Sequence, residues 1–226
     1  DIRLAATGSA SPIIEDASTD SGTGRWTVIK IPTLSFYEYC QLLQLDDMPL
    51  LPDHLKITDI PKMENAEVAD LMARFEPLVK HFNRYLTIGG FPELALSDDD
   101  LYAQRMLRED VVDKVIKRDV LTLFKVRSPL LMEKLFLYLC MNSTEIFSAT
   151  TAAKELDNIS PNTIESYVDA LVKSNLIYMA YPIAVGSKSV LKGRPKIYIA
   201  DAAIRNAVLM VDDVLSDERA LGLCFL

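Results

Sequence analysis

The sequence predicts a mainly helical chain with a little β-structure, closing over residues 128–211 on helix, helix, turn, helix, strand, loop, strand, helix. Three observations predict it. Apolar residues recur in steps of three and four along several segments, as on one face of an amphipathic helix. Ser128-Pro129 and Ser160-Pro161 read as helix starts, each an N-cap followed by proline at the first helical position. Two short runs rich in Ile and Tyr, Ile177 to Ile183 and Lys196 to Ala200, read as strands.

Taken in order, Asp1 to Ala6 reads as a strand that runs into the small polar residues Thr7-Gly8-Ser9-Ala10-Ser11-Pro12. That is the usual form of a strand end facing a ligand crevice in an open α/β sheet. A second short strand, Trp26 to Ile31, lies between Gly24 and Pro32. Two strands alone do not make a stable sheet, so they are expected to be the edge of a larger one. The alternative is a small hairpin appended to helices. Ser35 can cap a helix, and Glu38 three residues later completes a capping box. A loop rich in Asp, with Pro49, Pro52 and Pro61, follows. Val68, Leu71, Met72, Phe75, Leu78, Val79, Phe82 and Leu86 then mark one amphipathic helix over Glu64–Leu86, with Pro77 as a kink. Gly89-Gly90-Phe91-Pro92-Glu93 ends it. A second long helix is expected from about Asp99 to Phe124, with Leu107, Val111, Val112, Val115, Ile116 and Leu123 inside. Its other face carries Arg105, Arg108, Lys114, Lys117 and Arg118, either as a solvated face shared with acids or as a binding surface.

In the last segment, Leu131, Leu135 and Leu139 stripe the first helix, and Ser148 to Leu156 makes a short second one. Ile164, Val168, Leu171 and Val172 stripe the third, and Asn175 stops it. The two strands flank Gly186-Ser187-Lys188-Ser189-Val190-Leu191-Lys192-Gly193-Arg194, a loop with three cations. This order of elements is that of a winged helix. In such a domain the third helix enters the major groove and the wing meets the backbone. The candidate DNA-contacting residues are therefore Asn162, Thr163, Ser166 and Lys173 on the helix, with Lys188, Lys192 and Arg194 on the wing. Glu165 and Asp169 on the same helix oppose a phosphate backbone, so a packing or protein-contact role stands beside DNA binding.

Composition bounds the chain. Its 226 residues are half apolar and a quarter charged, as in ordinary globular proteins. No run approaches the roughly 18 apolar residues of a membrane span, so no membrane partner is expected. Cys40, Cys140 and Cys224 are odd in number and far apart, which suits a reduced, cytoplasmic chain. Residues 1–100 carry 17 acids against 8 bases and residues 101–200 carry 10 against 14, so an anionic partner should prefer the middle segment. No motif of a phosphate loop, a zinc protease or a nucleophile elbow is present, and His54 and His81 have no evident partner. The acid clusters Asp98-Asp99-Asp100 and Asp212-Asp213 fall in expected loops without calcium-loop spacing, so no metal site is expected.

Five motifs in order carry a resemblance: Thr7-Gly8-Ser9-Ala10-Ser11, Gly24-Arg25, Pro32-Thr33-Leu34-Ser35-Phe36-Tyr37-Glu38, Gly89 to Glu93, and Lys196-x-Tyr198-x-x-Asp201-x-x-x-Arg205-Asn206. Together they resemble a large group of bacterial and archaeal P-loop ATPases of the AAA+ class that have an uncharacterised C-terminal domain. The departures are Thr33, where leucine is usual, and Ala202-Ala203, where Thr-Gly is common. The resemblance implies a chain organised as the end of an α/β ATPase core (1–40), a helical lid or linker (41–127), a winged helix (128–211) and the start of a following segment (212–226). In that family a nuclease-like domain often follows the winged helix. It also implies a preceding core that holds the phosphate loop, ATP and Mg²⁺, with no cofactor held by these residues alone. Thr7 or Ser9 would then present a hydroxyl toward the γ-phosphate. Arg25 would sit beside the site, acting on a neighbouring subunit as a finger or, in the plainer alternative, making a surface salt bridge. Expected partners are DNA through the winged helix, a protein, or a second copy.

Overall fold

The architecture comes from a computed structural model that describes residues 29, 31–45, 49, 55–121, 124, 126–183, 193–210 and 218–223. The expected strands at Asp1–Ala6 and Trp26–Ile31, apart from its last residues, lie outside the described residues, as do His54, Cys224 and the Asp212-Asp213 pair. Within the described residues the chain is mainly helical with one small two-stranded sheet.

Helix α1 (Phe36–Leu42) starts at the predicted capping box. The Glu38 backbone N–H donates to Ser35 Oγ at 3.3 Å, and the Ser35 N–H donates to Glu38 Oε2 at 2.8 Å. Two orphan amides of the first turn are thereby satisfied. The helix expected over Glu64–Leu86 is present in two parts. Helix α2 (Asn65–Phe75) gives way to a 3₁₀ turn at Glu76–Leu78 that contains Pro77, and helix α3 (Val79–Ile88) resumes beyond it. Proline has no N–H for the α-helical ladder and clashes with the preceding turn, so the register breaks there. The two parts also have different fates: α3 buries Leu86 and Ile88, whereas α2 has no buried residue.

Gly89 ends α3 at φ +80°, a conformation that suits glycine, and its N–H still reaches the Tyr85 carbonyl. A short helix, α4 (Pro92–Ala95), leads to α5 (Asp100–Met106), and π-helical turns follow at Leu107–Asp113 and Val115–Val120. The expected long helix from Asp99 is thus α-helical only to Met106 and π-helical beyond it, as far as Val120. Leu107, Val112 and Ile116 point inward as expected. Its outward lysines are held by their own neighbours: Lys114 pairs with Asp110, and Lys117 with Asp113 at 3.3 Å. These two i, i+4 pairs are what a solvated face shared with acids would show. The Asp98-Asp99-Asp100 run is not a loop throughout. Asp99 is the N-cap of α5, accepting the Tyr102 N–H at 2.9 Å, and Asp100 is in its first turn.

The last segment follows the predicted order. Helices α6 (Pro129–Met141), α7 (Ala149–Glu155) and α8 (Pro161–Lys173) begin at Ser128, Ser148 and Ser160. The turn between α7 and α8 uses Asp157 and Asn158 at φ 64° and 56°, the left-handed region these side chains tolerate best after glycine. Asn175, at φ 55°, ends α8 as expected. Strands β1 (Ile177–Ala180) and β2 (Lys196–Ile199) pair antiparallel, each shorter than predicted. The segment around Ile146 bridges to Lys196 on the far side of β2, with the Thr144 N–H donating to the Ile197 carbonyl at 2.6 Å. Helix α9 (Ala202–Leu209) then runs through the middle, touching α3, α5, α6, β2 and the first π-helical turns. Ala202, Ala203 and Ala207 are buried there, and their small side chains allow the close approach. A final helix, α10 (Glu218–Leu223), packs on α9.

Candidate functional site

Two arrangements arise from residues that sequence patterns single out. The first is a buried polar joint. Asp201 is the N-cap of α9, and its Oδ1 accepts the Ala203 N–H at 2.8 Å. Its Oδ2 accepts the Gly90 N–H at 3.0 Å, and the Thr33 hydroxyl also bonds to this carboxylate. Burial pushes the Asp201 carboxyl above the ordinary aspartate value, against the lowering effect of these hydrogen bonds. One strand of chain runs alongside: the Leu34 N–H donates to the Gly90 carbonyl at 2.7 Å, and Tyr85 Oη donates to the Leu34 carbonyl at 2.8 Å. The Pro32–Glu38, Gly89–Glu93 and Lys196–Asn206 motifs, more than fifty residues apart in each step, therefore meet at one carboxylate. Both glycines are required by space. A Cβ on Gly89 would lie 2.8 Å from Asp201 Oδ1, and one on Gly90 would lie 2.7 Å from the Leu34 nitrogen.

The joint extends into the last segment. Arg205 is buried and donates from Nε to the Cys140 carbonyl at 2.9 Å, in the last turn of α6, where helix carbonyls lack intrahelical donors and favour a cation. Ser143 Oγ accepts the Ile199 N–H at 3.2 Å, tying the end of α6 to β2. Asp201 at the N-cap of α9 and Arg205 on it thus hold residues 33 and 90 and the end of α6 respectively. Near by, Arg84 on α3 donates to Asp100 Oδ1 at 2.8 Å, to Tyr39 Oη at 2.9 Å and to the Ala95 carbonyl at 3.0 Å. It fixes α1, α3, α4 and α5 as one unit.

The second arrangement is the outer surface of α8 and the hairpin. Asn162, Ser166 and Lys173 lie on one exposed strip of α8, while Thr163 is half-buried. The same strip carries Glu165 and Asp169, and Lys173 pairs with Asp169 at 2.9 Å. The helix surface is therefore polar but not cationic. Arg194 is exposed just ahead of β2. Thr7, Ser9, Arg25, Lys188 and Lys192 lie outside the described residues. Sequence patterns had marked Tyr198 only as a motif position and had not singled out Tyr178, its direct cross-strand partner. The alternation of the two strands was the signal that could have found them, since a shared face follows from register.

Among the described residues no group of three His, Cys, Asp or Glu side chains is placed to hold a metal ion, and no helix is long and apolar enough to cross a membrane. Cys40 and Cys140 are buried free thiols. Burial pushes the Cys140 thiol up to about 12.

With an α-helical framework closed by a small sheet and threaded by a buried acid–arginine helix, the chain can be set beside known proteins. It belongs to the family described as a domain of unknown function, DUF8612, whose model matches residues 79–215. That match takes in the Gly89–Glu93 and Lys196–Asn206 motifs and so both ends of the Gly90–Asp201 bond. An uncharacterised protein of Haemophilus influenzae is 23% identical over 206 residues, covering 89% of this chain and 44% of its own length. An uncharacterised protein of Methanocaldococcus jannaschii is 24% identical over 201 residues, covering 86% of this chain and 40% of its own length. The chain thus spans less than half the length of these curated relatives. No solved structure matches it.

Proposed function

We propose that this chain is the C-terminal part of a P-loop ATPase of the AAA+ class, in which residues 128–211 form a winged helix that passes nucleotide state on to DNA or a protein partner. The observation that carries the reading is the three-way joint at Asp201. Residues 33 and 34, next to the segment in which Arg25 would face the nucleotide, are bonded to Gly90 and to α9. Helix α9 in turn holds the end of α6 through Arg205. A displacement at residue 33 is therefore felt at the helix-turn-helix without crossing a solvent gap. Rigid, fully hydrogen-bonded joints of this kind transmit small shifts rather than absorb them.

Further support comes from the length of the relatives, more than half of which lies outside the matched region and is ample for a nucleotide-binding core. ATP and Mg²⁺ belong to that core, with Thr7, Ser9 and Arg25 contributed from this chain. The order α6, α7, α8, β1, β2, with the bridge at Ile146, supports a winged helix. The buried thiols Cys40 and Cys140 fit a reducing, cytoplasmic setting. A second reading, a winged helix that binds DNA with no nucleotide, is favoured by the exposed cations Arg194 and Lys196 at the hairpin.

The test is a titration of ATP with Mg²⁺ into the full-length protein, followed by turnover of wild type against Arg25→Ala. Saturable binding, with turnover lost in the variant and binding retained, is the expected result. Absence of nucleotide binding would remove the first reading and leave the second.

A further inference from the structure

We propose that the outward face of the hairpin is a binding platform for single-stranded nucleic acid, with bases stacking on Tyr178 and Tyr198 and phosphates held by Arg194 and Lys196. The register builds the platform. Ile177, Ile197 and Ile199 point into the core, so the alternate residues of both strands point outward together. Tyr178 pairs with Tyr198, and Ala180 with Lys196. Tyr178 is 40% exposed, and Tyr198 beside it is half-buried. On the far side of β2, Ile146 stands opposite Lys196 and is 65% exposed, which extends the apolar floor.

Charge selects an anionic ligand here. From residue 174 to residue 200 there is no acid, while Lys188, Lys192, Arg194 and Lys196 fall in the same stretch. Among the described residues no carboxylate pairs with Arg194 or Lys196, in contrast to Lys114, Lys117, Lys134 and Lys173. Glu145, next to the Ile146 bridge, is neutralised by Arg219. Cations without partners beside aromatic rings on an open sheet are the two components by which proteins hold single strands: stacking on unpaired bases and contact with the backbone. A duplex keeps its bases stacked and would leave the tyrosines unused. The α8 strip, with Glu165 and Asp169, lacks the charge to hold a duplex in its place.

This inference names the ligand class of the output module and rests on the proposed function for that module's role, not on nucleotide binding. The test uses the 226-residue chain and the anisotropy of a labelled oligothymidylate of about 20 nucleotides, long enough for one such site. An oligouridylate, an abasic strand of equal length and a duplex are run in parallel. Binding of the oligothymidylate or the oligouridylate is expected, and the ratio of the two says whether DNA or RNA is preferred. The abasic strand should bind about tenfold more weakly, and Tyr178→Ala should cost about tenfold, while Tyr178→Phe, which keeps the ring, stays within about twofold. Arg194→Ala with Lys196→Ala should flatten the dependence of log K on log salt by about 1.4, two cations at about 0.7 each. Equal affinity for the abasic strand, no loss in Tyr178→Ala, or no binding at all would overturn the platform. Tighter duplex binding that is lost in Asn162→Ala with Ser166→Ala would also overturn it, while leaving the winged helix as a DNA-contacting module.

Discussion

Replacing Gly90 by alanine tests the joint on which the functional reading rests. The added Cβ would fall 2.7 Å from the Leu34 nitrogen and well inside contact distance of the Leu34 carbonyl oxygen. Both are backbone atoms, so no side chain can swing away. Overpacking of this kind costs about 1–3 kcal/mol. Pushing the two chains apart also strains the Leu34–Gly90 and Gly90–Asp201 hydrogen bonds, at about 1 kcal/mol each. The expected loss is about 3–5 kcal/mol. With a urea dependence of about 2–3 kcal/mol per molar, the unfolding midpoint should fall by about 1.5 M. Gly222→Ala is the control. Its Cβ would meet only the Thr144 side chain, at 3.1 Å, within α10, and its effect should stay within about 0.5 kcal/mol. A Gly90→Ala midpoint within about 0.3 M of wild type would show that residues 34 and 90 are not locked together, and the reasoning from the joint would fail.

Other expectations follow from the same geometry. Asp201→Asn places an amide N–H against a backbone donor or the Thr33 hydroxyl and should cost about 1–3 kcal/mol in urea unfolding. Because burial raises the Asp201 carboxyl, the native state holds its proton more tightly than the unfolded chain. This contribution is present below the ordinary aspartate range and is lost as pH rises through the raised value. The stability gap between wild type and Asp201→Asn should therefore narrow as pH is raised across that window, and a gap that widens would refute the assignment. Ser35→Ala removes the capping box of α1 and should lower stability by about 1 kcal/mol, seen as a fall of about 2–4 °C in the thermal midpoint. Cys40 and Cys140 should resist alkylation at mildly alkaline pH in the folded protein and react in urea, as read by peptide mass mapping; rapid native labelling of Cys140 would contradict its burial.

Much of the helical framework was legible because its ends are marked by short-range chemistry. Ser35 with Glu38 and Ser128 with Pro129 act within one turn, so their caps are visible in the sequence and present in the structure, while at Ser160 the helix starts at Pro161 without a side-chain cap bond. The split of the Glu64–Leu86 helix was only half legible. Pro77 announces a break, but periodicity does not say that α2 would bury nothing while α3 enters the core. The π-helical widening after Met106 has no local signal in the sequence; it coincides with the close packing of α9 on that segment. The joint was visible as motifs and not as a site. Gly90 and Asp201 are 111 residues apart, and nothing in either neighbourhood names the other. On α8, Asn162, Ser166 and Lys173 are outside as expected while Thr163 is half-buried, and Asp169 pairs with the cation that made the strip attractive for phosphate. The tyrosine face of the hairpin was implicit in strand alternation and needed only the register to appear.

Hydrogen exchange across the joint in the full-length protein, with and without ATP and Mg²⁺, asks directly whether nucleotide state reaches the proposed winged helix over residues 128–211. The account predicts altered protection in residues 86–93 and 201–209 when nucleotide binds, carried onward to α6. Identical exchange in those residues with the nucleotide site saturated would contradict it.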